Sequence, residues 1–276
     1  MPDSTPPFAC GTLLYRPIGL VEGSSHVVLK GSVQVPVRTR SVPAFVKLLT
    51  SREHAAESVC AWLAKALNLQ APEALWVEVP RNRIPTAVSW PYGNKEVQCC
   101  FGTVAVPHAR SLNIAQLQQG ILLQQLAHHL LVLARIAIFD EWVGNEDRHE
   151  GNILLSPTGV PLVIDHERTL GTGGGAELFS GSILRAPSNL LSLIERLPAK
   201  QRFEMRAPLL AFIAACREQV YQIPFEQLVP EDEALRRGMA QYLEHRVERL
   251  ADVVSSVLGM SDLPGINDGP AIRPDL

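Results

Sequence analysis

The sequence contains no C-x-x-C pair, and its five cysteines are an odd number spread along the chain: Cys10, Cys60, Cys99, Cys100 and Cys216. This pattern provides no zinc framework and indicates free thiols in a reducing compartment. Near its start the sequence also lacks a basic segment followed by an apolar one, which predicts that there is no secretory signal. The expected location is therefore the cytoplasm.

Long apolar runs and a strong charge of one sign are missing as well. The most apolar stretch, from Leu130 to Phe139, contains Arg135 and is flanked by histidines and acidic residues, whereas a membrane-spanning helix needs about 20 apolar residues. The chain has 25 Lys and Arg against 28 Asp and Glu, a net charge of -3, and a general nucleic-acid-binding protein would carry a basic stripe. We expect neither a membrane span nor direct binding of nucleic acid.

What the sequence does contain is enough apolar material for a large core. Hydrophobic residues make up 46% of the 276 residues and charged residues 19%, which excludes disordered, collagen-like and disulfide-scaffold proteins. This length fits one large domain or two lobes that share a cleft. We predict an α+β fold with a small β-rich N-terminal lobe (residues 1–105), a larger helical C-terminal lobe (106–262) and a flexible tail (263–276).

The predicted elements follow from local patterns of β-branched, turn-forming and helix-periodic residues. In the N-terminal part we predict strands over Leu13–Val21, His26–Lys30, Val33–Arg38, Ala44–Leu49, Leu75–Val79 and Glu96–Val106, and one helix over Ser51–Leu67 with Ser51 as N-cap. In the C-terminal part we predict a long apolar helix over Asn113–Phe139, a polar loop over Asp140–Gly151, strands over Asn152–Leu155 and Leu162–Asp165, and helices over about Ser188–Arg196, Ala199–Val220 and Glu231–Leu258.

The segment richest in chemistry reads DEWVGNEDRHEGNILL from Asp140 and continues as LVIDHE from Leu162. Two short apolar strands joined by a Pro-Thr-Gly turn predict a hairpin that brings Asp165 beside Asn152. An amide oxygen and a carboxylate facing one cavity suit a hard magnesium ion that is shared with phosphate oxygens. Asp147, five residues before Asn152, can then act as the base toward a hydroxyl acceptor, which is a phosphoryl-transfer layout.

A plain structural reading of these residues is also open. Polar residues in a loop are usually just solvated, but a carboxylate that ends an apolar strand, as Asp165 does, is unfavourable unless something pairs with it. Lys47 lies inside an apolar strand, where burial is costly unless the ammonium meets an anion, although it could also extend to water. Glu57 on the next helix is the preferred partner, because Glu53 falls in the first turn, where the helix dipole already favours a carboxylate.

A second phosphate-binding element is a weaker prediction. The segment from Gly19 to His26 lies between two predicted strands and offers backbone N–H groups and the hydroxyls of Ser24 and Ser25 to phosphate oxygens. Two glycines four residues apart occur in many hairpins, so this interpretation depends on the position of the segment upstream of Lys47.

The string VGNEDRHEGNILL…LVIDHE is similar to the catalytic and metal-binding segments of HipA-like kinases and, more distantly, of phosphatidylinositol kinases. Both carry a D-R-H-x-x-N signature instead of the H-R-D order of ordinary protein kinases. The resemblance implies a two-lobed protein-kinase-like fold that uses ATP and Mg²⁺. It implies that Asp147 is the catalytic base, that His149 orients this base or the γ-phosphate, that Asn152 and Asp165 hold magnesium, and that Lys47 contacts the nucleotide phosphates.

The same resemblance extends to the N-terminal part. It implies that Glu57 pairs with Lys47 and that the stretch from Gln98 to Thr103, with Cys100 and Phe101, forms the hinge where backbone groups meet adenine. Ser24 or Ser25 lies where some members of the family autophosphorylate a loop serine. The sequence departs from ordinary protein kinases after Asp165, where His-Glu replaces Phe-Gly, so a regulatory flip of that motif is not assumed.

The leading functional prediction is an ATP- and magnesium-dependent phosphotransferase that acts on serine or threonine hydroxyls of a protein. The first alternative is a kinase of the same fold that acts on a lipid or a small molecule, although the net charge of -3 does not favour a phosphoinositide. The second alternative is a catalytically silent protein that binds a nucleotide or a partner. The joint presence of Lys47, Asp147, Asn152 and Asp165 argues against it.

Overall fold

The structure is a computed structural model, and it describes residues 6–15, 17, 19–20, 26–112, 129–145, 147–148, 152–171 and 189–259. Several predictions fall on other parts of the chain. The residues Ser24, Ser25 and His149, the first part of the long apolar helix (113–128) and the C-terminal tail (263–276) lie outside the described residues.

The N-terminal part is built on a six-stranded sheet. Its strands are β1 (Ala9–Leu13), β2 (Gly19–Leu20), β3 (Val27–Gln34), β4 (Val42–Leu48), β5 (Ala74–Pro80) and β6 (Val97–Val104), in the order β1-β5-β6-β4-β3-β2. Strand β1 is parallel to β5 and also pairs antiparallel with β3, so five of the strands close on themselves around an apolar interior. The prediction of a β-rich N-terminal part in a chain that contains both helices and strands is confirmed.

The limits of three predicted strands near the N-terminus were wrong. The predicted strand Leu13–Val21 shares only Leu13 with β1 and contains β2. The two predicted strands on either side of Gly31 are replaced by the single strand β3, which ends at Gln34. Gly31 lies inside β3 and does not end a strand. A glycine is required there for packing, because a Cβ would lie 2.7 Å from Cδ1 of Leu13. Gly11 has the same function in β1, where a Cβ would lie 2.6 Å from Cγ1 of Val33.

The two faces of β4 have different neighbours. Ala44, Val46 and Leu48 are buried in the apolar interior of the closed sheet. Successive side chains of a strand point to opposite faces, so Lys47 lies on the other face. Helix α1 (Ser51–Ala66), which follows β4 directly, supplies Glu57 to the ammonium of Lys47 on that face. The alternation of β4 thus turns a single lysine out of the apolar interior toward the helix.

The N-cap of helix α1 lies one residue earlier than predicted from the sequence. Thr50, not Ser51, is the N-cap: its side chain accepts a hydrogen bond from the backbone N–H of Glu53 at 3.3 Å, and Glu53 accepts from the backbone N–H of Thr50 at 2.9 Å. This reciprocal pair is a capping box. The glutamate needed three residues after the cap is Glu53, which the choice of Ser51 had excluded.

The C-terminal part combines helices with a small sheet. The strands β7 (Arg110–Ser111), β8 (Ile153–Leu155) and β9 (Pro161–Val163) pair in that order, and the helices are α2 (Leu130–Val143), α3 (Asn189–Glu195), α4 (Ala199–Val220), α5 (Phe225–Leu228), α6 (Glu233–Val247) and α7 (Leu250–Val257). The predicted helix over Glu231–Leu258 is therefore two helices. Within the described ranges, no helix combines the length and the apolar character that crossing a membrane requires.

Helix α2 is the centre of this part and runs four residues further than predicted. It packs against α3, α4, α6 and α7, which explains why it is apolar all round. The predicted polar loop beginning at Asp140 is wrong at its start, because Asp140, Glu141 and Trp142 are buried in the last turn of the helix. The helix ends at Gly144, which has a positive φ of 66°, as is usual at a helix C-terminus.

A partly buried histidine on α1 gives the fold a predictable sensitivity to acid. Burial lowers the pKa of His54, whose ring contacts Phe101, from 6.5 to about 4. The unfolded chain therefore binds a proton first, and the free energy of unfolding should fall as the pH falls from about 6.5 to about 4, by roughly 3 kcal/mol for this residue alone. Urea unfolding at pH 7 and pH 5 should show a smaller difference for His54→Leu than for the wild type. An equal difference would contradict this assignment.

Candidate active site

Lys47 is the point where the N-terminal sheet meets the C-terminal hairpin. Its Nζ donates hydrogen bonds to carboxylate oxygens of three residues, Glu57 on α1 and Asp165 and Glu167 after β9. The pairing of Lys47 with Glu57 is the one expected from the sequence. The ammonium is largely buried and fully paired, so the alternative in which Lys47 extends to water is wrong.

The hairpin that carries Asp165 has the register expected from its sequence. Ile153 pairs with Val163 and Leu155 with Pro161, while the N–H of Ile164 lies 3.4 Å from the carbonyl oxygen of Asn152. Asp165 therefore comes one residue after the position opposite Asn152. Its φ of 69° is positive, a conformation that costs a non-glycine residue energy and is found mainly where the surroundings enforce it.

The carboxylates around Lys47 exceed the positive charge available to them. Oxygens of Glu57, Asp165 and Glu167 lie within 4.8 Å of one another around a single ammonium. Burial acts to lower the pKa of Lys47, but the charges of the three carboxylates outweigh it, so the pKa is raised and the ammonium stays charged. Magnesium binds hard oxygen donors that carry negative charge, and Asp165, the first residue of this group after the hairpin, is a donor that fits that ion.

Asp165 and Glu167 share a hydrogen bond, and their pKa values are shifted in opposite directions. Burial acts to raise the pKa of Asp165, but its hydrogen bond with Glu167 and the charge of Lys47 lower that pKa below its usual range. Burial and the same hydrogen bond raise the pKa of Glu167 to about 9. Of these two carboxyl groups, Asp165 therefore keeps its negative charge to lower pH, and Glu167 is the first to take up a proton.

Asp147 lies at the edge of this group of residues. Its backbone carbonyl accepts a hydrogen bond from Nδ2 of Asn152 at 2.8 Å, and its backbone N–H donates to Oδ1 of Asn145 at 3.1 Å. Its side chain is 37% exposed, with Oδ2 3.7 Å from Nη1 of Arg168. The bond to Asp147 uses the amide nitrogen of Asn152, so the amide oxygen is the atom of Asn152 that can serve a cation.

The residues at the predicted hinge do not form a connecting segment. Cys100 and Phe101 are buried inside strand β6, where Cys100 pairs with Val77 and Phe101 lies between Trp76 and Lys47. Phe101 is paired with a strand on each side and Cys100 with β5 on one side, so these residues are part of the sheet and not of the connecting segment where adenine was predicted to bind. Strand β6 ends at Val104, so the connecting segment begins at residue 105.

Three functional candidates were not assigned from the sequence: Asp140, His166 and Glu167. The sequence predicts that Asp140 begins a loop. Its partner Arg148 lies eight residues further on, and no local pattern predicts that the two side chains pair. Glu167 was noted only as a departure from the Phe-Gly of ordinary kinases, yet it contacts Lys47 directly. The presence of a carboxylate two residues after Asp165 was the one available sign of this contact.

A comparison with family models agrees with the D-R-H-x-x-N signature. A family model described as HipA-like kinase matches residues 45–252, more than half of the chain, and this match confirms the resemblance seen in the sequence. Among solved structures, the chain is similar to a proinflammatory kinase of Helicobacter pylori, CtkA, at 13% sequence identity and a TM-score of 0.48, over 91% of this chain and 98% of that one. No curated protein matches the chain.

Proposed function

Because the chain belongs to the HipA-like kinase family, we propose that it is an ATP- and magnesium-dependent phosphotransferase that acts on serine or threonine hydroxyls of a protein. Membership of the family makes it a kinase-type phosphotransferase. The observation that supports ATP and magnesium is the contact of Lys47 with Asp165, because it joins an ammonium of the N-terminal sheet to the carboxylate of the hairpin. Phosphate oxygens and a divalent cation need these two kinds of charge side by side.

Each predicted residue has a role in this proposal. Asn152 and Asp165 would hold magnesium, which when bound neutralises charge on the transferred phosphoryl group. Lys47, held by Glu57, orients the nucleotide phosphates. The carboxylate of Asp147 accepts the proton of the acceptor hydroxyl as the hydroxyl oxygen attacks the γ-phosphorus. The bond from this phosphorus to the β–γ bridging oxygen breaks, ADP leaves, and no covalent enzyme intermediate is required. Catalysis then consists of positioning and of charge neutralisation.

The proposed boundary between the lobes and the proposed adenine site both lie just after the end of strand β6 at Val104. We propose an N-terminal nucleotide-binding lobe over residues 1–105 and a helical catalytic lobe over residues 106–262, with the adenine ring against the segment after Val104. The predicted contacts of Ser24 and Ser25 with phosphate oxygens remain part of the proposal. So do the predicted role of His149, which orients either Asp147 or the γ-phosphate, and a location in the cytoplasm. A protein acceptor fits Asp147, whose carboxylate is partly exposed and therefore open to a large substrate.

Transfer of label from ATP tests the proposal. The full chain is incubated with a cell extract whose own kinases have been inactivated by heat and with ATP labelled at either the γ- or the α-phosphate, with magnesium or with EDTA, and the same extract without the chain is the blank. We expect labelled protein only with γ-labelled ATP and magnesium, and acid hydrolysis of that protein should release phosphoserine or phosphothreonine. Label confined to the lipid or small-molecule fraction would contradict the protein acceptor, and the absence of label in every fraction would contradict the phosphotransferase.

A further inference from the structure

The side chain of Arg148 uses all five of its N–H groups inside the protein. Nε and Nη2 donate to the two carboxylate oxygens of Asp140, both at 2.8 Å. Nη1 donates to the backbone carbonyls of Asn152 and Ile164, the latter at 2.8 Å, and Nη2 also lies 3.1 Å from Nε2 of His166. The side chains of Asp140 and Arg148 have no exposed surface.

The backbone partners of Arg148 are the residues that carry or flank the proposed magnesium ligands. One carbonyl belongs to Asn152 itself and the other to Ile164, immediately before Asp165. On the other side of Asp165, the ring of His166 is in contact with the same guanidinium. The strained positive φ of Asp165 is therefore fixed from both sides by one arginine, as such backbone strain requires.

Asp140 extends the same network to the proposed base. Its Oδ1 accepts a hydrogen bond from Nδ2 of Asn145 at 3.1 Å, and Oδ1 of Asn145 accepts one from the backbone N–H of Asp147 at 3.1 Å. The Asn145 N–H also donates to the carbonyl oxygen of Asp140 at 2.8 Å. The end of helix α2 thus sets the position of the Asp147 backbone through a single asparagine.

His166 brings the network of Arg148 close to the residues that hold Lys47. An arginine can only donate hydrogen bonds, so Nε2 of His166 accepts from Arg148 and the proton of the neutral ring is on Nδ1. That nitrogen lies 3.8 Å from Oε2 of Glu57, the residue that holds Lys47. The hydrogen bonds of this network therefore reach the backbone of Asp147 and Asn152 and both neighbours of Asp165, and the His166 ring lies beside Glu57.

We propose that Asp140 and Arg148 are positioning residues that hold Asp147, Asn152 and Asp165 in the geometry needed for magnesium binding and transfer. This inference rests on the proposed function. A buried ion pair is a poor way to gain stability, since apolar residues of similar volume often serve as well. The five directed bonds of Arg148 instead specify where the backbone around the site lies, and a lysine could not reproduce them.

Magnesium titration of nucleotide binding tests the proposal. Binding of a non-hydrolysable ATP analogue to the full chain is followed by calorimetry over a range of magnesium concentrations for the wild type, Arg148→Lys and Asp140→Asn. For both variants we expect the magnesium concentration at half-maximal binding to rise about 10- to 100-fold, the usual effect of losing residues that orient metal ligands. Analogue binding in EDTA should stay as in the wild type, and kcat should fall more than KM changes.

Arg246→Lys is the matched control. Arg246 is also buried and pairs with Glu141, the neighbour of Asp140, and it donates to the carbonyls of Glu141 and Trp142 at the end of α2. This variant should lose melting temperature as Arg148→Lys does, yet keep the magnesium dependence of the wild type.

The outcomes separate this proposal from the proposed function. If the wild type binds the analogue with no dependence on magnesium, both are overturned. If the wild type depends on magnesium and Arg148→Lys and Asp140→Asn retain its titration curve, or if Arg246→Lys shifts that curve equally, only the positioning function is overturned. Should Arg148→Lys fail to fold, Asp140→Asn decides in the same assay.

Discussion

Replacement of Asp147 with alanine is expected to lower the rate of phosphoryl transfer by about 100-fold or more, the usual contribution of a general base, with little change in nucleotide affinity. The reason is the position of the residue. Asp147 lies next to Asn152 through the bond to its backbone carbonyl, which the substitution preserves. Its own carboxylate contacts only an exposed arginine among the described ion pairs, so its loss leaves the Lys47 contacts in place.

Single-turnover kinetics and calorimetric binding of the ATP analogue measure the two quantities separately. Asp252→Ala is a suitable control, because Asp252 is an exposed carboxylate in the first turn of α7. A transfer rate for Asp147→Ala equal to that of the wild type would refute the assignment of the base.

Asp165→Ala is expected to abolish transfer and, unlike Asp147→Ala, to weaken magnesium-dependent nucleotide binding by at least about 100-fold, since even residues that only orient a metal ligand cost 10–100-fold. The variant removes the charged carboxylate that lies against Lys47 in the hairpin. The ammonium keeps Glu57 and Glu167 as partners, so the melting temperature without ligand should change little.

Calorimetry with the ATP analogue, in magnesium and in EDTA, distinguishes this loss from general damage. Only the binding in magnesium should weaken. Glu73→Ala provides the comparison, since it removes a half-exposed carboxylate that is ion-paired with Arg38 away from the hairpin. An Asp165→Ala protein with the magnesium dependence of the wild type would show that this carboxylate is not a metal ligand.

The parts of the site that were predictable from the sequence are those defined by local patterns. The hairpin follows from two short apolar strands around a turn, and it puts Asp165 beside Asn152 by register alone. The pairing of Lys47 with Glu57 follows from a strand that leads directly into a helix, since a buried lysine needs an anion within reach of its side chain. Both contacts join elements that follow each other directly in the chain, so the spacing of residues in the sequence was sufficient to predict them.

The parts that were missed depend on contacts between distant segments. Strand β1 closes the sheet through parallel pairing with β5, more than 60 residues away, as in the pair Thr12–Glu78, and no local pattern announces such a partner. The end of α2 was placed too early because Asp140 is polar. Its carboxylate is buried against Arg148, and only the tertiary structure supplies that partner. The hinge was misplaced because the last residues of a central strand resemble a connection when the neighbouring strands are unknown.

A crystal structure of the full chain with magnesium and a non-hydrolysable ATP analogue would test the central claim most directly. We predict a metal ion about 2.0–2.1 Å from a carboxylate oxygen of Asp165 and from the amide oxygen of Asn152. We also predict a phosphate oxygen in contact with the ammonium of Lys47, and the γ-phosphate facing Asp147. A metal ion or triphosphate bound elsewhere on the chain, with Lys47 and Asp165 still closed on each other, would contradict the account.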